Sequence, residues 1–406
     1  MHIGINAQLL SFSQSYRNGG ISRYIRYLLT ELAREPGSHT YTIFVNGSDT
    51  ATRLGVEHPQ LTFVPANWPE EKPAARVAWE QMTLPGLLRQ RGIQVLHSPA
   101  NVLPEFLPRG CLSVVTLHDL AFLRMPEVLT RPKRMYHRTF TTRSLRRASR
   151  IIAVSESTSR DLTELLGIAP QRIATVYPCI DERFTRPVEE EEVRAFRQRQ
   201  GLAEGFVLYM GTLEPRKNIP TLVEAYARLR QMTGTRTKLV LAGGKGWLYD
   251  EIFARVRQLG LEAEVVFPGY VSDAEQPLWY RAAAAFAYPS LYEGFGIPVA
   301  EALACGTPVV TSTISSLPEA GGGIALTVDP HDIEAMATAL RTALSDGAFQ
   351  KQCRLLAPTV IERFSAAAMA RQTIAVYEQT LPSHVTQRNT QVNESKIGYG
   401  SIREQQ

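Results

Sequence analysis

The stretch Ser290 to Val310, "SLYEGFGIPVAEALACGTPVV", decides the fold. The preceding "AFAYPS" reads as a buried strand, Glu293 to Gly296 as a glycine-bearing loop, and the run from Gly296 onward as a helix. A strand feeding a helix through a short loop is one unit of a parallel α/β sheet. Glu301 then falls five residues into the helix, about 7.5 Å along its axis. Were the whole stretch helical, Glu293 and Glu301 would stand about 12 Å apart along the axis. A retaining glycosidase needs its two carboxyls only about 5 Å apart, so the spacing argues against an acid/base dyad. The two acids are expected to serve different parts of one extended ligand.

The same unit recurs on both sides. Upstream, "HIGINA", "YTIFV", "LTFVPA", "IQVLHS", "LSVVTLH", "IIAVS" and "IATVYP" read as strands. Amphipathic helices fit between them at 21–35, 75–91 and 157–166, the last with Ser155 as N-cap. A break follows at Pro187 and four glutamates, Glu189 to Glu192, which suit a helix first turn. The rhythm restarts with "FVLYMG", "KLVLAGG", "VVFPGY", "AFAYPS", "TPVVTS" and "IALTVDP". Two α/β domains are expected, 1–185 and 186–365, with a helix at about 366–381 returning to the first and a disordered tail over 382–406.

The 406 residues are 44% apolar and 20% charged, which are globular values. Cys111, Cys179, Cys305 and Cys353 form no C-x-x-C pair and no neighbouring His cluster, so neither a disulfide framework nor a zinc site is indicated. The chain opens on a strand-like segment without a basic leader, and no apolar run reaches the roughly 18 residues of a membrane span. A cytoplasmic protein is expected. A net charge of +5 is too small to point to nucleic acid. Residues 131–150, "RPKRMYHRTFTTRSLRRASR", hold eight Lys or Arg and no acid on a stretch that reads as helix. It is either a solvated helix face or a patch that rests on anionic lipid, where each basic residue contributes about 1 kcal/mol.

In open parallel sheets, ligands sit beyond the carboxyl ends of the strands, and the polar residues collect there. Gly19 and Gly20 precede a helix whose free N–H groups suit a phosphate, with a plain loop as the alternative. No G-x-G-x-x-G or P-loop pattern is present, which argues against a dinucleotide oxidoreductase or NTPase. His118 and Asp119 end one strand. Arg216 and Lys217 leave another together, a pairing that suits a diphosphate. Gly294 and Gly296, flanking Phe295, allow backbone N–H groups to approach a ligand closely, and Glu301 can hold vicinal hydroxyls. Cations for phosphates and carboxylates for hydroxyls describe a nucleotide-sugar site.

At these residues the sequence resembles the retaining glycosyltransferases of family 4. The resemblance runs over most of 1–380 and rests on the E-x7-E pair, Glu293 and Glu301, with "GGISRY", "VTLHDL", "LEPRKN" and "VFPGYVSD" in order. It implies the α/β GT-B fold, two facing Rossmann-like domains with a cleft between them. It also implies residue roles. Gly19 and Gly20 close over the donor diphosphate, His118 lies near the donor sugar, and Arg216 and Lys217 neutralise the leaving group. Glu293 and the 294–296 backbone hold sugar and phosphate, Glu301 the ribose, and the main chain at Tyr270 and Val271 the base. Arg23 and Asp119 are further donor or acceptor contacts. One departure is "PCID", Pro178 to Asp181, where the family often reads Asn-Gly-Val-Asp before the linker.

The resemblance further implies same-face transfer without a dedicated base and, with Lys and Arg in place of Mg²⁺ and no Asp-x-Asp motif, no metal or other cofactor. "LEPRKN" with "LHDL" looks most like users of GDP-mannose in bacterial surface-polysaccharide assembly; UDP-sugar users share most of these residues. A nucleotide-sugar 2-epimerase and a catalytically silent nucleotide-sugar-binding subunit are the rival functions. The expected partners are a nucleotide-sugar donor and a glycan or lipid-linked acceptor, with no nucleic acid.

Overall fold

The computed structural model describes residues 1–12, 19–69, 72–128, 130–202 and 205–381; the expected tail lies outside them. Two all-parallel sheets organise the chain. The first has seven strands, β1 (His2–Asn6), β2 (Thr40–Asn46), β3 (Leu61–Ala66), β4 (Val95–Ser98), β5 (Leu112–Leu117), β6 (Arg150–Ala153) and β7 (Ile173–Thr175), in the order β3-β2-β1-β4-β5-β6-β7. The second has six, β8 (Phe206–Met210), β9 (Lys238–Ala242), β10 (Val265–Gly269), β11 (Ala285–Tyr288), β12 (Val309–Ser312) and β13 (Leu326–Val328), in the order β10-β9-β8-β11-β12-β13. All thirteen coincide with the strand segments read in the sequence. Both orders reverse direction next to the first strand of the sheet, the switch point where doubly wound folds bind ligands.

Central strands such as "FVLYM" of β8 are buried throughout, as strands covered by helices on both faces must be. Ser155 caps helix Glu156–Leu166 by accepting from the Thr158 amide. Two helix expectations need correction. The single helix over 75–91 is two, Pro73–Met82 and Leu84–Gln90, because Pro85 lacks an amide hydrogen and its ring crowds the preceding turn. The basic stretch is helix Arg131–Tyr136, a π turn His137–Thr141 and helix Thr142–Arg147, before β6 begins at Arg150.

The last helix, Ala366–Thr380, packs on helix Gly20–Arg34 and on β5 and β6 of the first sheet. His97 pins it there, bonding the Tyr377 hydroxyl at 2.6 Å through Nδ1 and Thr116 at 2.8 Å through Nε2. Full burial drops the His97 imidazole to about 3, so it is neutral in the core.

Candidate functional site

A cleft of about 480 Å³ lies between the carboxyl ends of the two sheets. Of the residues singled out in the sequence, Gly20, Arg23, His118, Asp119, Arg216, Lys217, Glu293, Gly294, Phe295, Gly296 and Glu301 line it. Gly19 lines an adjoining cavity. Tyr270 and Val271 lie outside both linings; the Tyr270 side chain is exposed and Val271 is buried.

The centre of the cleft is an ionic cluster. Pro215–Lys217 form a 3-10 turn after β8, which delivers both cations to the loop after β11. Glu293 Oε1 meets Lys217 Nζ at 2.5 Å, and Glu293 Oε2 meets an Arg216 terminal nitrogen at 2.9 Å. Arg216 also binds Glu214 at 2.9 Å, and Lys217 donates to the Tyr288 hydroxyl at 2.6 Å. Burial alone would raise the Glu293 carboxyl, but Lys217 and Arg216 overcome it and hold the group at about 2. Burial lowers the Lys217 ammonium even though Glu293 opposes the effect. The backbone of Glu293 is fixed as well, its amide donating to Ser315 and its carbonyl accepting from Ser315 and Ser316. Two cations are thus held in fixed positions at the cleft by Glu214 and Glu293.

Glu301 sits in helix Ile297–Ala304. Its Oε2 accepts from the Tyr280 hydroxyl at 2.9 Å, and Arg23 of the first domain approaches Oε1 at 3.8 Å. Here burial wins and the carboxyl is raised, despite Arg23 and Tyr280. Arg23 also faces Asp273 at 3.6 Å, so this end of the cleft is bridged between the domains.

From the first domain, helix Gly20–Arg34 brings its N-terminus to the cleft with no acidic residue in its first turn, an end that carries a partial positive charge. His118 Nε2 lies 2.8 Å from the Pro99 carbonyl oxygen. A carbonyl can only accept, so Nε2 carries the hydrogen and Nδ1 is left as an acceptor. Burial lowers the His118 imidazole, which makes the neutral form the resident one. Asp119 accepts from the Ala121 amide at 3.0 Å, closing the turn after β5.

The two glycines also meet close packing. A Cβ on Gly294 would lie 1.7 Å from the His118 carbonyl oxygen, and Gly296 has φ +98° with Leu317 against it. At 294 the opposing domain fills the space that a side chain would take. The Gly294 carbonyl accepts from Ser155 and Thr158 at 2.6 and 3.1 Å, and the Tyr292 hydroxyl donates to Asp161 at 2.7 Å.

Sequence reading missed Tyr280, Tyr288 and Glu214, which position the charged groups. The tyrosines look like ordinary apolar members of a helix and a strand, and nothing local marks them. Three of the arginines in the basic stretch are engaged within the protein. Arg143 and Arg147 pair with Glu105, and Arg150 donates to the Gln171 carbonyl at 2.5 Å. Arg131, Arg138 and Arg146 are exposed. Among the described residues no helix is long and apolar enough to cross a membrane, and no group of three or more His, Cys, Asp or Glu is placed to hold a metal.

Both halves match known families: Glycosyltransferase Family 4 over residues 18–184 and Glycosyl transferases group 1 over 192–357. The O-antigen chain mannosyltransferase B of Escherichia coli is 33% identical over 291 residues, covering 72% of this chain and 76% of that protein. The serotype-specific mannosyltransferase WbdA of Escherichia coli is 30% identical over 240 residues, 58% of this chain but only 29% of its own length. Among solved structures, sucrose-phosphate synthase from Thermosynechococcus elongatus matches with a TM-score of 0.69 at 22% identity, covering 93% of this chain and 98% of that one. Two facing parallel sheets with this neighbour define the GT-B fold of glycosyltransferases. The chain belongs to glycosyltransferase family 4.

Proposed function

We propose that this chain is a retaining mannosyltransferase that moves mannose from GDP-mannose to a glycan or lipid-linked acceptor in surface-polysaccharide assembly, without a metal ion. The observation that carries the transfer chemistry is the buried Arg216–Lys217–Glu293 cluster sharing the cleft with the N-terminal end of helix Gly20–Arg34. The choice of mannose is supported by the mannosyltransferases similar to it.

In this reading the donor diphosphate displaces Glu293 from Arg216 and Lys217 and lies against the helix end. The freed Glu293 turns to sugar hydroxyls, the His118 Nδ1 accepts from another, and Glu301 takes the ribose hydroxyl pair. The bond between the anomeric carbon and the β-phosphate oxygen breaks with its electron pair leaving on the diphosphate. The acceptor hydroxyl oxygen bonds to the anomeric carbon on the same face, and its proton passes to the departing phosphate oxygen. Fixed cations and N–H dipoles supply most of the stabilisation, because charge grows where they already point. Arg216 and Lys217 do the work a metal would do. The protein acts in the cytoplasm, and exposed Met135 and Phe140 beside Arg131 and Arg138 support peripheral contact with an anionic membrane.

The test is isothermal titration of the full chain with GDP-mannose, UDP-glucose and UDP-N-acetylglucosamine in EDTA, with Glu301→Ala as control. Selective GDP-mannose binding that the variant loses is the expected result. Selective binding of a UDP-sugar overturns the donor assignment while leaving transfer intact. Conversion of donor alone to an isomer would identify an epimerase, and binding without turnover on any acceptor a silent subunit.

A further inference from the structure

A cavity of about 530 Å³ opens on the edge of the second sheet opposite the cleft. Ala283 and Ala284 line it just before β11 begins, and Pro308 just before β12, so it lies at the amino ends of strands whose carboxyl ends face the cleft. No described residue lines both spaces. The volume is in the range of small-molecule sites, roughly 300–1,000 Å³.

Three helices bring four arginines to it: Arg194 and Arg197 from Glu190–Arg199, Arg281 from Gln276–Ala282 and Arg354 from Gly347–Arg363. Glu190 is the one acidic side chain among the described lining residues. In the cleft, Lys217 and Arg216 meet the Glu293 carboxylate at 2.5 and 2.9 Å. Most of the arginines here are held differently. Arg194 pairs with Glu191 at 2.6 Å, but Arg197 Nε donates to the Ala282 carbonyl at 2.7 Å, and a terminal nitrogen of Arg281 donates to the Phe184 and Arg186 carbonyls at 2.9 and 2.8 Å. Such carbonyls orient a guanidinium without cancelling its charge.

Two further observations show the shortage of negative charge. Arg281 Nε is buried with no hydrogen-bond partner, although buried donors are almost always paired. Burial lowers the Arg197 guanidinium, and Glu190 only opposes the effect. Among the described residues, Arg197, Arg281 and Arg354 form no ion pair. Cations withdrawn from water are normally paired, so an anion from outside the chain fits here. Val188, Val193 and Pro308 line the same cavity with uncharged surface.

We propose that this cavity binds an organic phosphate, a phosphorylated small molecule whose anionic group meets the four arginines while its uncharged body lies against Val188, Val193 and Pro308. The planar fork of arginine matches pairs of phosphate oxygens. A free phosphate ion would leave the apolar wall without a partner. The site is separate from the transfer cleft and does not rest on the donor assigned to it.

The test is calorimetry on the full chain with AMP, adenosine and inorganic phosphate as probes, comparing the parent with Arg194→Gln, Arg354→Gln and, for the cleft, Arg216→Gln. Arg194 and Arg354 are exposed, so their substitution leaves the fold intact. Expected is an AMP site that persists in Arg216→Gln, binds inorganic phosphate more weakly and does not take adenosine. Arg194→Gln and Arg354→Gln should each weaken it about tenfold, the loss of one charge-assisted hydrogen bond, and Arg354→Lys, which keeps the charge, should restore most of the affinity. Hydrogen exchange locates the site without relying on any variant: AMP should slow exchange in 190–199 and 347–354. No AMP binding, AMP bound only in the cleft with no protection of those helices, or parental affinity in both arginine variants overturns the proposal. Inorganic phosphate binding as tightly as AMP would overturn the organic ligand.

Discussion

Gly294 of the second domain lies directly against the carbonyl oxygen of His118 in the first, so close that a Cβ would sit 1.7 Å from it. This backbone contact limits how closely the two domains can approach at the 293–296 loop. Gly294→Ala must push the domains apart or tilt the 293–296 loop. Overpacking of this kind costs about 1–3 kcal/mol, and a displacement of about 1 Å at a reacting centre can cost roughly 100-fold in rate. The expected outcome is a modestly lower melting temperature with turnover down by about 100-fold. A variant as active as the parent would show that the domains part here without consequence.

Glu293 gives an acid signature. Its folded pKa is depressed from 4.5 to about 2, so its contribution to stability is complete above about 4.5 and is lost as pH falls toward 2. The shift corresponds to about 3 kcal/mol at neutral pH. Glu293→Gln leaves Lys217 and much of Arg216 without a counter-charge and should cost a similar amount at pH 7. Urea titrations at pH 7 and pH 3 should find the gap between parent and variant at pH 3 reduced to less than half of that at pH 7; equal gaps would contradict the pairing.

Glu301 should behave in the opposite way. Its carboxyl is raised by burial, so the stability it contributes is full below its ordinary pKa and is lost as pH rises through the raised value. Glu301→Gln removes that cost while an amide oxygen can still accept from Tyr280. We expect unfolding at pH 7 to be unchanged within about 1 kcal/mol or slightly more difficult. Nucleotide affinity measured by calorimetry should nonetheless fall roughly 10–100-fold, since a hydrogen bond to a charged group is worth about 1.5–3 kcal/mol. Loss of stability and affinity together would make Glu301 structural.

The contrast between these two glutamates explains what the sequence does and does not disclose. Strands such as "FVLYM" are read directly because burial on both faces leaves a run of apolar residues. The charged loops stand out because they end such runs. Pairings between residues far apart in the chain carry no local pattern: Gly294 with His118, Glu301 with Arg23, and Gln8 with Trp68. Helix 75–91 failed for a local reason that was visible, Pro85, whose effect periodicity overrode. Spacing along the chain shows that Gly294 and Gly296 flank the cleft loop but not that His118 of the opposite domain lies against Gly294.

Glu319 tests whether the two domains are held partly by a helix end. Its two carboxylate oxygens accept from the Glu156 and Ser157 amides, each at 2.7 Å, at the start of helix Glu156–Leu166 in the other domain. A carboxylate there satisfies free N–H groups and meets the positive end of the helix, worth about 1 kcal/mol. Burial raises this carboxyl, against the pull of those two amides and Arg160. Because both hydrogen bonds are lost, Glu319→Ala should lower stability by about 1 kcal/mol, while Glu319→Gln, which keeps one accepting oxygen, should lose less. If the contact also restrains domain motion, as closure around a ligand requires, Glu319→Ala should give a larger radius of gyration by small-angle scattering without nucleotide and recover the parent value when nucleotide is added. A scattering profile identical to that of the parent, alongside the stability loss, would make Glu319 a helix cap and not a clamp between domains.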